Sequence, residues 1–219
     1  MERPLFWHQG LFLQPQHFQL FDRYMQSLAA SAAPLLQPHF WGVGTMKMQE
    51  ASLGNHSLHV LQGEFIFPDG TFVSFPGNSL LDPRSFSEGS FEGGKPLGSY
   101  LGIRKWNSDG ENVTVLPDLE SVSDVTTRYV TSTEPEDVID LHQGGPDAQV
   151  RGMYYVLKLF WETEVDQLGD YELIPVVLLT RSGEEIVSSK RFFPPCLSFS
   201  AVEPFKKLVV EIRDQLTSR

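Results

Sequence analysis

The chain has 219 residues, is 41% hydrophobic and carries a formal net charge of −11. That length gives one large domain, or one domain with a fragment of another, and the apolar fraction is ample for a core. The acidic balance excludes a nucleic-acid-binding surface, which must be basic. The single cysteine, Cys196, excludes an intrachain disulfide and a cysteine-based zinc centre, and fits a reducing compartment.

The chain opens on Leu5-Phe6-Trp7-His8-Gln9-Gly10-Leu11-Phe12-Leu13 and continues through Pro15, His17 and Phe18 to Asp22-Arg23-Tyr24. Chain ends are ordinarily polar and frayed. Burial of Phe6, Trp7, Phe12 and Phe18 is worth roughly 1.5–3 kcal/mol each, so this segment is expected to dock, either on its own domain or on a partner. His8, Gln9, Gly10, Gln14 and Pro15 interrupt the apolar run, which excludes a secretory signal. No stretch approaches the ~20 apolar residues needed to span a bilayer. The chain is therefore expected to be cytoplasmic, with no direct membrane insertion.

Residues 16–33 read as a helix. Pro15 suits its first turn, Phe18, Phe21, Met25, Leu28 and Ala32 follow helical spacing, and Pro34 and Pro38 are expected to end it. From Phe40 the period changes to two, with Met46 and Met48 on one side of a strand. Runs 57–67 and 71–75 flank Pro68-Asp69-Gly70 and predict a β-hairpin. The Gly/Ser-rich stretch 85–96 reads as a loop, 100–106 and 113–116 as short strands, and the Val/Thr-rich stretch 122–132 as an exposed or edge strand. Residues 150–161 predict a long strand with Met153, Tyr155, Leu157, Leu159 and Trp161 on one face. Runs 172–180 and 185–193 flank Arg181-Ser182-Gly183-Glu184 as a further hairpin. About eight or more strands without βαβ alternation give a mainly β fold, an antiparallel sandwich or barrel, with an N-terminal helix and a C-terminal amphipathic helix.

Phe193-Pro194-Pro195-Cys196 reads as a boundary, giving a β-rich domain over 1–195 and a helical segment over 196–219. Ser200 and Glu203 are spaced as a capping box, and Phe205, Leu208, Val209, Ile212 and Leu216 form one apolar stripe. That stripe either packs back on the β domain or begins a helical bundle or oligomeric stalk; the Pro-Pro boundary favours the second.

Between residues 109 and 147 ten acids face only Arg128, so this stretch carries −9. It is either a solvated acidic face or a docking surface for a basic partner. No catalytic constellation is present. His8 and His17 have no carboxylate or cysteine at metal spacing, and His56 and His59 bracket a strand start. Cys196 has no cationic neighbour to lower its pKa and is expected to be an inert buried thiol. Glu134, Glu136 and Asp137 form the only dense carboxylate cluster, a weak signal for calcium or glycosidase chemistry. Gly89, Gly93 and Gly94 match no phosphate-binding spacing. No cofactor, metal or catalytic residue is expected. Two non-enzymatic readings remain: a scaffold whose N-terminal aromatics and C-terminal helix make protein contacts, or a carbohydrate-binding β-sandwich module.

The run Trp7-His8-x-Gly10-x-Phe12-Leu13-x-Pro15-x-His17-Phe18 with Asp22-Arg23-Tyr24 resembles the start of the TssK family, the baseplate subunits of bacterial type VI secretion. The resemblance continues through Pro68-Asp69-Gly70 and returns at Phe192-Phe193-Pro194-Pro195-Cys196-Leu197, which looks like the family's junction into its helical middle domain. It implies a β domain similar to the shoulder of phage receptor-binding proteins, followed by the first helix of a trimeric bundle. It further implies that the shoulder docks on a TssF–TssG wedge, and that contact with the membrane complex belongs to a C-terminal head absent from this sequence. On this reading Leu5, Phe6, Trp7, His8 and Phe12 are expected at the docking contact. Phe205, Leu208, Val209, Ile212 and Leu216 are expected in the stalk.

Overall fold

The computed structural model describes residues 3, 4, 6, 8–37, 39–139, 145–198, 201 and 203–217; side chains at 29–36, 92, 203 and 204 lie outside the description. Helix α1 (Pro15–Leu36) is followed by strands β1 (Gly42–Met48), β2 (Ser57–Leu58), β3 (Val60–Ile66), β4 (Phe72–Phe75), β5 (Ser79–Leu81) and β6 (Arg84–Ser85). Next come β7 (Leu97–Arg104), β8 (Val113–Leu116), β9 (Tyr129–Ser132), β10 (Glu136–Val138) and β11 (Ala148–Val150). The chain closes with β12 (Tyr154–Trp161), β13 (Tyr171–Ser182), β14 (Glu185–Ser188) and helix α2 (Glu203–Thr217).

Two sheets carry the body. A small sheet has the order β1-β3-β4; a large one runs β14-β13-β7-β12-β9-β8, with β5 beside β12. Most pairings are antiparallel, while β5–β12 and β8–β9 are parallel. The small sheet contributes Val43, Val60, Phe65 and Val73 to a core that receives Leu101, Ile103, Leu157, Leu159, Ile174 and Leu179 from the large sheet. This is a sandwich of two facing apolar layers. Pro175 sits inside β13, next to a register shift between Pro175 and Val177. A bulge is where a strand tolerates a residue without an N–H.

Both predicted hairpins form. In the first, Gly70 adopts φ +83° and donates its N–H to the Phe67 carbonyl (2.9 Å), while the Thr71 N–H donates to Asp69 Oδ1 (2.9 Å). In the second, β13 and β14 pair from Leu179–Ser188 out to Ser182–Glu185.

Four expectations are corrected. The stretch 85–96 is not a plain loop: it contains a 3-10 segment (Glu88–Gly94) and buries Phe86 and Phe91, with Phe86 edge-on to Trp161 at 5.8 Å. The stretch 122–132 is a strand only from Tyr129, and that strand lies inside the sheet rather than at its edge. Val122 and Val125 instead fold over the second face of the large sheet, against Val130 and Val156. The loop is tied down by Asp82, which accepts from the Val122 N–H and Ser121 Oγ, both at 2.8 Å. The long strand predicted over 150–161 is two, β11 and β12, and Met153 between them is exposed while Tyr155, Leu157, Leu159 and Trp161 join the core. Finally, α1 runs past Pro34 to Leu36. A proline near a helix end forfeits one hydrogen bond without stopping the last residues from keeping helical angles.

Candidate docking surfaces

The described residues of the N-terminal run do not enter the core. Phe6 is 83% and Phe12 80% exposed, and His8 and Leu13 are exposed as well. Leu5 and Trp7 lie outside the described residues. The apolar stripe of α1 is no better covered: Phe18, Phe21, Met25 and Leu28 remain exposed, as does Leu20 outside the stripe, and Ala32 lies among the side chains outside the description. Helix α1 touches the body through Arg23, whose guanidinium sits 4.2 Å from the centre of the Trp106 ring, a cation–π contact. It covers one face of Trp106, an aromatic that a sugar-binding module would present. His8 Nδ1 lies 3.1 Å from the Gln9 carbonyl and His17 Nδ1 3.2 Å from the Gln14 N–H, so these histidines engage neighbouring backbone.

The other candidate surface is α2. Phe205 packs on Phe193 with ring centres 5.1 Å apart. Beyond it Leu208, Val209, Val210, Ile212 and Leu216 are exposed, Leu216 by 71%. Ser200 lies outside the described residues, as does the Glu203 side chain, so the capping box does too. The start of this segment is fastened to the β body. The Val43 N–H donates to the Pro195 carbonyl (2.8 Å), and the Leu197 N–H donates to the Val43 carbonyl (2.9 Å). With the parallel bridge between Val43 and Cys196, residues 195–197 act as a short extra strand on β1. Cys196 is only partly buried, and burial pushes its thiol pKa up, which keeps it protonated.

The sandwich also holds a polar seam that sequence reading missed. Arg128, the one cation counted against the ten acids of 109–147, is 5% exposed. Its Nη1 donates to the Arg104 carbonyl (2.6 Å), and its Nη2 donates to Thr71 Oγ1 (2.6 Å) and Asp69 Oδ2 (3.1 Å). The ring centres of Tyr155 and Tyr129 lie 5.6 and 6.0 Å away. Its charge is thus spent on the hairpin turn, and the acids of 109–147 keep no surface counter-charge from it. On the opposite end, Arg84 Nη2 donates to Glu164 Oε1 (2.6 Å), and Glu164 Oε2 accepts the Trp161 N–H (2.7 Å).

Glu172 is held partly buried, and burial raises its pKa above the usual carboxylate range, while Lys105, 3.8 Å away, pulls it back down. A raised carboxyl pKa means that the folded chain binds the proton more tightly than the unfolded chain. Its stabilising share is present below the unfolded pKa and lost as pH rises through the folded one. Glu172→Gln is therefore expected to melt higher than the parent near about pH 7, with the gap closing below about pH 4 where Glu172 is protonated anyway. Thermal melts of both proteins across that range check this.

Among the described residues no group of three or more His, Cys, Asp or Glu side chains is placed to hold a metal ion. His59 Nδ1 is paired with Gln49 Oε1 (2.8 Å), His56 Nε2 lies 3.5 Å from Glu88 Oε1, and Glu136 and Asp137 lie exposed on β10. A cleft of about 550 Å³ beside β14 mixes Glu50, His56, Glu184, Glu185 and Lys190 with Leu53 and Ile186, so its polar groups share no single charge. No helix among the described residues is long and apolar enough to cross a membrane.

A β sandwich flanked by two helices with outward apolar faces defines a class of protein built for contact with other macromolecules. Residues 17–219 match the family described as Bacterial Type VI secretion, VC_A0110, EvfL, ImpJ, VasE, and the chain belongs to that family. It is 26% identical over 222 residues to the type VI secretion system baseplate component TssK1 of Pseudomonas aeruginosa PAO1, covering 97% of this chain and 46% of the relative. The chain therefore spans about half the length of that relative.

Two solved structures share the fold. One is the TssK–TssF–TssG baseplate subcomplex of the type VI secretion system, seen by cryo-electron microscopy (TM-score 0.83, 24% identity, all of this chain and 70% of the matched one). The other is a crystal structure of TssK (TM-score 0.83, 18% identity, all of this chain and 48% of the matched one).

Proposed function

We propose that this chain is a structural, non-enzymatic part of a type VI secretion baseplate subunit, acting on the cytoplasmic side of the membrane. Residues 1–195 form its shoulder domain and 196–219 the start of its helical middle domain. The segment Leu5, Phe6, Trp7, His8 and Phe12 docks on a TssF–TssG wedge. Phe205, Leu208, Val209, Ile212 and Leu216 continue into a homotrimeric stalk, and contact with a membrane complex falls to further chain such as the longer relatives carry. Family membership supports the baseplate role, and a relative's complex supplies the partners. The observation that carries the docking role is the exposure of Phe6 and Phe12, whose burial has to come from outside the sandwich.

Interfaces of this kind concentrate energy in a few aromatic anchors worth about 2 kcal/mol or more each. Phe6→Ala with Phe12→Ala, about 4 kcal/mol together, is expected to weaken binding of the full-length subunit to purified TssF–TssG by about 500-fold or more. The melting temperature should stay unchanged, because neither ring is in the core. Unchanged binding would overturn the docking role; a fall in melting temperature would return these rings to the fold.

A further inference from the structure

We infer that the β10–β11 ribbon is a second docking arm, which receives a heterologous protein surface in which Lys or Arg side chains border an apolar strip. This inference rests on the baseplate reading above, and adds to it a contact away from the N-terminal segment.

The arm grows out of the sandwich. β9 and β12 are antiparallel neighbours in the large sheet, paired at Tyr129–Tyr155 and Val130–Tyr154. Thr131 Oγ1 donates to the Gly152 carbonyl (2.8 Å) where the two chains leave the sheet. Beyond that clamp the same two chains pair again as β10 and β11, a separate two-stranded sheet. All six of its strand residues are exposed. Register places Glu136 opposite Val150 and Val138 opposite Ala148 on one face, with Asp137 and Gln149 on the other. Directly opposed residues share a face, so Val138, Ala148 and Val150 form one apolar strip. Val138 is 39%, Val150 46%, Ile139 65% and Met153 52% exposed.

A two-stranded ribbon with one uncovered apolar face is marginal in water by itself. What covers it is selected by charge. Glu136 shares the face of the strip, Glu134, Asp137 and Asp147 adjoin it along the chain, and Arg151 is the one Lys or Arg between positions 129 and 157. Of the next cations along the chain, Arg128 is turned inward onto Asp69 and Lys158 Nζ donates to the Ser123 carbonyl (2.7 Å). A second copy of this arm would bring like charges together, which interfaces avoid. A basic rim around an apolar centre matches both features.

The test uses the full-length subunit reconstituted with purified TssF–TssG, carrying a benzophenone amino acid at Val138 or Val150, with exposed Glu111 as the control position. Assembly is read separately by size-exclusion chromatography. The expected result is crosslinking from both arm positions to a partner segment containing Lys or Arg next to apolar residues. The yield should fall about tenfold in Glu136→Lys with Asp137→Lys, or in about 0.5 M salt, where screening is severe. Crosslinks to the chain itself or to another copy, or no more crosslinking than from Glu111 in a complex that has assembled, overturn the inference and leave the baseplate reading standing. If no complex assembles, the baseplate reading fails and the arm inference with it.

Discussion

Arg128→Ala is expected to lower the melting temperature by about 6–12 °C. Removing one member of a buried, hydrogen-bonded ion pair costs about 3–5 kcal/mol. The Asp69 side chain is 30% exposed, which places the cost at the lower end, near 3 kcal/mol, because water can rescue that carboxylate. In a domain of this size each kcal/mol moves the midpoint by about 2–4 °C. The loss is not only of charge. The guanidinium reaches Thr71 and Asp69 in the β3–β4 turn and the Arg104 carbonyl at the end of β7. One side chain thereby joins the small sheet to the large one.

Arg128→Lys separates the parts: an ammonium keeps the charge but not the planar fork, so it should recover only part of the loss. Differential scanning calorimetry of the parent and both variants decides. A change below about 2 °C for Arg128→Ala would mean that water replaces the fork at little cost, since an effect that small corresponds to no more than about 1 kcal/mol.

The elements that were legible from sequence are those written in local chemistry. Pro68-Asp69-Gly70 and Ser182-Gly183 dictate turns, and the period-two runs beside them become β3–β4 and β13–β14. The alternation Tyr155, Leu157, Leu159, Trp161 likewise finds its core face. Less legible was whatever depends on long-range packing. Valine and threonine mark a side chain that fits a half-buried surface, and Val122 and Val125 satisfy that in a loop folded on the large sheet as well as they would in a strand. The sequence shows Arg128 only as one cation among ten acids; its partner Asp69 lies 59 residues away in sequence, beyond any local pattern.

The candidate surfaces divide in the same way. The apolar character of the N-terminal run was legible from its composition; that the sandwich does not cover Phe6 and Phe12 required the structure. Phe205 and the α2 stripe were legible from spacing. The attachment of residues 195–197 to β1 was not, because two prolines in succession look like a linker until the Pro195 carbonyl is counted as an acceptor. The apolar face of the β10–β11 ribbon was hidden for a related reason. Val138 and Val150 lie twelve residues apart, and only the hairpin register places them on one side.

Gly42→Ala is expected to cost about 3 kcal/mol and to act on the junction with α2 rather than on the core. Gly42 adopts φ +130°, a conformation that side chains rarely take. A Cβ there would lie 2.3 Å from the Pro195 carbonyl oxygen and 2.6 Å from its carbon. Backbone strain of this kind costs about 1–3 kcal/mol, and relieving it by moving residues 195–197 away gives up the two hydrogen bonds to Val43, each worth about 1 kcal/mol.

The consequence reaches beyond stability. Phe193 and Phe205 stack on either side of this stitch, so releasing it frees the start of α2 from the direction that the sandwich imposes. Three readouts separate local release from global damage: amide exchange at Val43 and Leu197, reactivity of the Cys196 thiol, and the melting temperature. Local release predicts faster exchange at those two amides and a more reactive Cys196 as its burial is lost, while exchange in β7 and β12 stays slow. If the midpoint falls with Leu197 exchange and Cys196 reactivity unchanged, β1 has absorbed the strain and the junction is not held by this contact.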